Sequence, residues 1–390
     1  MKNSFSSWPS FCQEEIDEVT DVLSSNKVNY WTGDRCKKFE RDFSVWSDSK
    51  FSIALTNGTV ALELALKSLE IGVNDEVIVT SRSFIATVSS IVNIGAIPIF
   101  ADVDINSQNI NSKSIKPLIS NKTKAIICVH LAGWPCEMDE IMNISDEFNL
   151  FVIEDCAQAH GAKYKSRPVG SIGHIGAWSF CQDKIISTGG EGGMVTTNSE
   201  TLWQRMWAYK DHGKNYEMVN TQIKSEGFRW VHDSFGTNWR MTEMQAAIGS
   251  IQLKKMSEWH SKRNINANQI WSVAKECNGI RVPDLPSYIE HAAYKCYVFI
   301  EPEKLKKNWS RDRIIKAINS LNVPCYLGSC SEIYLEKAFN DKSFKPSQRL
   351  PNAKMLGETS LMFLVHPTLT DDEIKQTCNA IQSVMQKAAI

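Results

Sequence analysis

From Phe51 onward, short runs rich in β-branched residues alternate with stretches of helical periodicity, and this alternation narrows the possible folds more than any other feature of the chain. SIALT is followed by a helical pattern beginning near Thr59, DEVIVT by one beginning near Ile85, and IPIFADV by a loop. AIICVH and LFVIEDC read as two further buried strands, separated by the helical stretch MDEIMNISDEF. Such a chain builds βαβ units, and so a mostly parallel sheet with helices on both faces. The segment RMTEMQAAIGSIQLKKMSEWHSKRNINANQIWSVAKE has apolar residues at helical spacing over many turns, with only Gly249 as a weak point, and predicts a long helix leading out of this unit. Beyond it, CYVFIEP, the helical RDRIIKAINSLN, a proline-containing stretch and the terminal helix DDEIKQTCNAIQSVM predict a small α+β domain. The expected division is a large α/β domain over 1–257 and a small C-terminal α+β domain over 258–390.

A chain of 390 residues is long enough for one large core and a smaller second one. Its 43 basic and 44 acidic residues are spread along the whole length, leaving no basic stripe to neutralise a run of phosphates, so nucleic acid is not an expected partner. Eleven cysteines, an odd number without a C-x-x-C spacing, read as small buried hydrophobes in a reducing compartment; neither a disulfide frame nor a metal site is expected. The first residues, MKNSFSSWPSFCQEEIDEV, carry no apolar segment behind a basic start. No apolar run approaches the roughly 18 to 20 residues needed to span a bilayer. The expectation is a cytoplasmic protein with no membrane partner.

In a parallel sheet, ligands settle at the carboxyl ends of the strands, where loops meet helix N-termini. Three candidates fall there. Asn57-Gly58-Thr59 follows the SIALT strand and opens the helical run ALELALKSLE, so its free N–H groups could face a phosphate. The same tripeptide also serves as an ordinary turn with a threonine cap. Asp155, at the end of LFVIEDC, could hold the ring nitrogen of a pyridine protonated, or could simply cap the next helix. Lys184 lies between a strand ending at Phe180 and the loop Gly189-Gly190-Glu191-Gly192-Gly193. Partly desolvated beneath a bound aldehyde, such a lysine is suited to form a Schiff base and to shuttle protons, whereas most lysines are solvated surface charges.

Taken in order, NGTVALELAL, DEVIVTSRSFIATVSSIVNIGAIPIFADVD, VHLAGWPCEMDEI, VIEDCAQAHGAKYKSRPVGSIGHIGAWSF, KIISTGGEGGMVTTN and GTNWRMTEMQAAIGSIQL resemble the successive motifs of the DegT/DnrJ/EryC1/StrS sugar aminotransferase family. The resemblance runs from about Val28 to Arg263 and implies an α/β fold of the fold-type I class dependent on pyridoxal 5′-phosphate (PLP). It also implies a homodimer with active sites shared between subunits. Transferred residue by residue, it makes Lys184 the lysine that holds the cofactor and Asp155 the partner of the pyridinium nitrogen. Gln158 would sit near the phenolic oxygen, Phe84 would stack on the ring, and Gly58, Thr59 and Ser179 would hold the phosphate. Asn238, in GTNWRM, would reach the cofactor phosphate of the neighbouring subunit; without the resemblance, Asn238 and Arg240 read as a capping turn before the long helix. The implied substrates are L-glutamate and a nucleotide-linked keto sugar, with a 4-keto-6-deoxyhexose the expected acceptor, and the implied setting is lipopolysaccharide O-antigen or related glycan assembly.

Some members of the family have histidine at the lysine position and dehydrate their sugar, so Lys184 favours transamination over that alternative. A non-catalytic homologue would be expected to lose Lys184, Asp155 or the phosphate turn, and all three are present. A fold-type I enzyme acting on amino acids alone is a third alternative, left open by the sequence. The glycine loop reads TGGEGG where TGEGG is common, and PCYLGSCSEIYLEKAF has no histidine where many relatives carry one near the sugar. Tyr30-Trp31-Thr32 match a segment that lies near the active site in relatives, although aromatics there serve packing equally well. Cys156 and Cys181 border the expected site with no paired base, and read as packing residues.

Overall fold

The computed structural model describes residues 5–221, 229–340 and 343–390. Seven strands form the main sheet: β1 (Phe51–Leu55), β2 (Glu76–Thr80), β3 (Ile97–Ala101), β4 (Thr123–Val129), β5 (Phe151–Asp155), β6 (Ile175–Ser179) and β7 (Gly193–Thr197), in the order β1-β7-β6-β5-β4-β2-β3. Every neighbouring pair from β6 to β3 is parallel, and β7 alone runs against both its neighbours. The reason is the connection: the parallel strands are joined through crossovers, whereas β6 returns as β7 through the glycine loop, which forms no helix. The apolar runs that predicted buried strands are buried on both faces, since helices cover both sides.

Helices Gly58–Ser68 and Ala86–Asn93 begin within a residue of where the sequence places them. The long helix spans Glu243–Lys275, opened by a capping box in which Thr242 and Gln245 satisfy each other's backbone N–H groups. Gly249 is where the helix Arg35–Trp46 crosses it: a Cβ there would meet the Phe39 ring at 2.7 Å and Thr188 Cγ2 at 2.9 Å. Helix propensity is given up at this point for close packing.

The remaining C-terminal part builds a four-stranded antiparallel sheet in the order Ile280–Arg281, Cys296–Ile300, Ser360–Phe363, Cys325–Tyr326. Helices Arg311–Ser320 and Asp371–Ala388 close over it, burying Val298, Ile318, Phe363 and Ile381 with Ile270 of the long helix. The division expected after residue 257 falls inside the long helix, so the chain passes that point as a continuous rod. The PCYLGSCSEIYLEKAF stretch packs back onto the large sheet: Ile333, Tyr334 and Phe339 join its core, and Ile333 N–H donates to the Ser81 carbonyl at 3.0 Å. Among the described residues, no helix is long and apolar enough to cross a membrane.

One fully buried carboxylate ties the carboxyl end of the sheet together. Glu154 accepts from the backbone N–H groups of Gly170, Ile172 and Gly173 at 2.8, 2.9 and 2.6 Å, and pairs with His130 Nε2 at 3.0 Å. Burial alone would raise its pKa, but these bonds outweigh it and hold the carboxyl below its ordinary value. The stabilisation is therefore complete above the ordinary glutamate range and lost as pH falls through the folded-state value. Glu154→Ala, which leaves His130 Nε2 and three amides unpaired, is expected to cost about 3 to 5 kcal/mol in urea unfolding at neutral pH. A loss under 1 kcal/mol would mean that water replaces the carboxylate.

Candidate active site

β1 ends one residue short of a turn that starts a helix. Asn57 Oδ1 accepts from Val60 N–H at 3.0 Å, and Ala61 N–H reaches the Asn57 carbonyl at 3.3 Å. The cap thereby satisfies the orphaned N–H of Val60, and Ala61 makes the first intrahelical bond, which leaves the N–H groups of Gly58 and Thr59 for whatever occupies the cavity they line. Gly58 is required by contact: a Cβ would stand 2.6 Å from Ser179 Cβ, at the end of β6. Gly193 is required in the same way, since a Cβ would meet the Asn57 carbonyl oxygen at 2.3 Å. The turn, the end of β6 and the start of β7 are thus drawn into one wall.

At the end of β5, Asp155 is 3% exposed. Its Oδ2 accepts from Thr87 Oγ1 at 2.8 Å and its Oδ1 from Ala157 N–H at 3.1 Å. Among the described residues, no lysine, arginine or histidine lies within ion-pair distance of it. Burial pushes its pKa up, with Thr87, Ala157 and the more distant Lys184 charge only partly offsetting it. Next to it, Gln158 accepts from Ala132 N–H through Oε1 at 2.8 Å. Phe84, also in the lining, is 67% exposed, a large apolar side chain just before the helix that carries Thr87.

Lys184 is carried by a tight turn, its N–H donating to the Cys181 carbonyl at 3.0 Å. Its Nζ lies 3.4 Å from Tyr294 Oη and 3.4 Å from Asp183 Oδ1, while Tyr294 Oη itself donates to Asp183 Oδ2. Burial and the Asp183 charge raise the Tyr294 pKa, so its proton stays on. Asp183 goes the other way: burial would raise it, but Lys184, Tyr294 and Lys295 bring it below its ordinary value. The lysine amine is therefore held by a neutral hydroxyl and an ionised carboxylate.

A cavity of about 540 Å³ joins these walls, lined by Gly58, Thr59, Phe84, Asp155, Gln158, Ser179 and Lys184 together with Thr87, Asp183, Cys181 and Glu191. Asn238 is not in its lining. It sits on an extended segment beside the turn, where Trp239 accepts from Thr56 N–H at 3.1 Å and Arg240 pairs with Asp211. Trp31 faces a separate pocket with Trp203, Trp207 and Tyr216. Cys156 is enclosed, and all eleven cysteines are free thiols. His130, Glu154 and Cys156 place possible metal-ligand atoms within 4.8 Å of one another, but all of Glu154's accepting capacity goes to the four bonds described above.

The family model of the DegT/DnrJ/EryC1/StrS aminotransferase family matches residues 9–382. The chain belongs to this family. Like its relatives, this DegT/DnrJ/EryC1/StrS protein is an aminotransferase with the fold-type I architecture. A solved aminotransferase from Psychrobacter cryohalolentis is 60% identical, with a TM-score of 0.96 over 98% of this chain and 99% of that one. The GDP-perosamine synthase of Escherichia coli O157:H7 is 42% identical over 279 residues, covering 70% of this chain and 73% of that protein. The dTDP-3-amino-3,6-dideoxy-alpha-D-galactopyranose transaminase of Aneurinibacillus thermoaerophilus is 30% identical over 95% of both chains.

Several residues of the aminotransferase cavity escaped the sequence reading. Thr87 stands in the first turn of the helix Ala86–Asn93, just after Phe84, and nothing local marks it as a partner of Asp155. Asp183 adjoins Lys184, but nothing local marks it as a partner of the amine. Tyr294 comes from a stretch 110 residues further on and had no signal at all.

Proposed function

We propose that the protein is a cytoplasmic, homodimeric, PLP-dependent aminotransferase that moves an amino group from L-glutamate to a nucleotide-linked keto sugar. A 4-keto-6-deoxyhexose is the proposed acceptor, and the aminosugar serves surface polysaccharide such as O-antigen. The observation that supports this reading is the convergence on one cavity of an amine, a buried carboxylate with no cation beside it, an exposed aromatic face and a helix start whose first two N–H groups are left over by its cap. A planar, phosphate-bearing pyridine would supply a cation to the carboxylate, a face to the aromatic ring and an anion to the helix start. The names of the relatives add support, since two of them describe the making of GDP- and dTDP-linked aminosugars.

Bound there, PLP supplies an electron sink for the carbon bearing the amino group. Gly58 N–H, Thr59 N–H and Ser179 Oγ hold its phosphate at the positive end of the helix. Phe84 covers one face of the ring. Gln158 Oε1 is occupied by Ala132, so the amide Nε2 is the end that donates to the phenolic oxygen. Asp155 keeps the ring nitrogen protonated, and that positive charge in turn relieves the cost of burying the carboxylate. Lys184 Nζ would hold the cofactor and would serve as the base and acid that moves the proton at the donor carbon, with Tyr294 and Asp183 keeping the amine within reach. Asn238, outside the lining of its own cavity, serves the cofactor phosphate of a second copy.

The test is to incubate the protein with L-glutamate and, in parallel, GDP- and dTDP-linked 4-keto-6-deoxyhexoses, following both products by mass spectrometry. The expected result is an amino nucleotide sugar formed in step with 2-oxoglutarate. Loss of a sugar hydroxyl without amination would mean a dehydratase, and amino exchange confined to amino and keto acids would mean an amino-acid transaminase.

A further inference from the structure

The backbone of Lys184 is fastened by a part of the chain to which neither the fold nor the reaction assigns any role. The indole N–H of Trp8 donates to the Lys184 carbonyl oxygen at 2.7 Å, across 176 residues of sequence. The indole is itself held on several sides. Trp259 of the long helix meets it edge-on at 5.0 Å, the Arg263 guanidinium lies 4.9 Å from its ring, and His366 stacks at 6.0 Å with an interplanar angle of 24°. Arg263 is fully buried and, among the described residues, has no carboxylate partner; its Nη1 reaches the Ala293 and Tyr294 carbonyls at 3.5 Å while Nε and Nη2 find no acceptor, so the indole face is one counterpart of that charge.

The residues just before Trp8 are tied to the small C-terminal part. Ser6 donates to Glu373 through its backbone N–H at 2.6 Å and its Oγ at 3.0 Å, and the Ser7 carbonyl accepts from Thr368 Oγ1 at 2.9 Å. Glu373 also belongs to the capping box of the terminal helix. The segment thus runs as a strap from the first turn of that helix, over the long helix, to the turn that carries the lysine.

We propose that Trp8 is a positioning residue for the aminotransferase reaction, setting through the Lys184 carbonyl where the lysine amine stands relative to Asp183, Tyr294 and the cofactor. The proposal rests on the reading of Lys184 as the cofactor lysine. The turn is closed by its own short-range bond to Cys181, and its neighbours are tied down through the Asp183 side chain, bonded to Tyr294, and through Ser187 N–H, which donates to Gln252 Oε1 at 2.8 Å. The indole bond is the tie that acts on the backbone of Lys184 itself. A displacement of the turn by a fraction of an ångström moves Nζ relative to Asp183 and Tyr294, which both sit at the outer limit of hydrogen-bonding distance.

Trp8→Phe removes the N–H donor and keeps an apolar ring, and Trp8→Ala removes both. Three quantities are measured on the PLP-loaded or PLP-free protein: the pH at which the visible band of the lysine-linked cofactor titrates, kcat and KM, and the melting temperature without cofactor. The titration reports the surroundings of the amine, where Asp183 Oδ1 and Tyr294 Oη each stand 3.4 Å from Nζ. For Trp8→Phe the expected result is a titration midpoint moved by about half a pH unit or more. Turnover is expected to fall about tenfold with KM unchanged within about twofold. The cofactor-free melting temperature should stay within about 4 °C of wild type. A Trp8→Phe protein that titrates and turns over as wild type, whatever its melting temperature, would overturn the proposal and leave Trp8 as packing. Wild-type protein without the band would remove the reading of Lys184 and the proposal together, whereas a wild-type band that the substitution leaves untouched would remove the proposal alone.

Discussion

Replacing Lys184 with alanine is expected to lower turnover by at least about 10⁴-fold, because in the proposed function one amine would carry both the covalent hold on the cofactor and the proton transfer, the latter alone contributing about 10² to 10⁴. Among the described residues, no other lysine or arginine lines the cavity, so none of them offers a second amine. Of the carboxylates at the wall, Asp155 is buried against Thr87 and Ala157, Asp183 is bonded to Tyr294, and Glu191 is exposed to solvent beside Cys181. Cofactor binding should survive the substitution, since the helix start, Ser179 and Phe84 are untouched. Steady-state assays with a donor and a keto sugar, beside an equilibrium measurement of PLP binding, separate the two effects. Turnover that stays within about a hundredfold of wild type would show that another side chain moves the proton.

Asp155→Asn is expected to act in opposite directions on activity and stability. A carboxylate about 4 Å from a protonated ring nitrogen contributes about 4 kcal/mol at an effective dielectric of about 20, and its loss corresponds to about 10³ in turnover. Without cofactor the same carboxylate is a burden, because it is buried without a cation and its pKa is raised in the folded state. A folded state that binds a proton more tightly than the unfolded chain loses stability as pH rises through the window between the two values. The cofactor-free asparagine variant should therefore melt above wild type at neutral pH, with the gap closing as pH falls into the ordinary aspartate range. The amide can be accommodated, since Thr87 Oγ1 can accept from it while giving its own proton to Ser83, 3.0 Å away. A variant that is both less stable and fully active would contradict the assignment of Asp155.

How much of this was written locally can be judged from particular residues. The strands and their helices were legible because alternation and period are local properties, and Asn57 and Thr242 announce their helices by side-chain chemistry. The glycine loop was read as a lone motif, but the reversal of β7 follows from it, since the loop provides no crossover. Gly249 looked like a defect in a helix and is a contact with Phe39, which only packing reveals. The candidate site was legible where its members follow strands: the phosphate turn, Asp155 and Lys184 all sit at strand ends or the loop beyond them. Tyr294 and Trp8 were not, because their contacts with Lys184 join segments 110 and 176 residues apart, and neither carries a local pattern that predicts the meeting. The Gln158 side chain was placed near the cofactor by resemblance alone. Its bond to Ala132, which fixes which end of the amide faces the cavity, depends on a loop from a different strand.

The most direct test of the central claim is the absorbance spectrum of the purified protein reconstituted with PLP, recorded before and after addition of L-glutamate, beside the same pair of spectra for Lys184→Ala. The account predicts a visible band of lysine-linked cofactor in the wild type that glutamate bleaches, and no such band in the variant. A wild-type protein that binds PLP without the band, or an alanine variant that keeps it, would contradict the assignment of Lys184 and with it the proposed function.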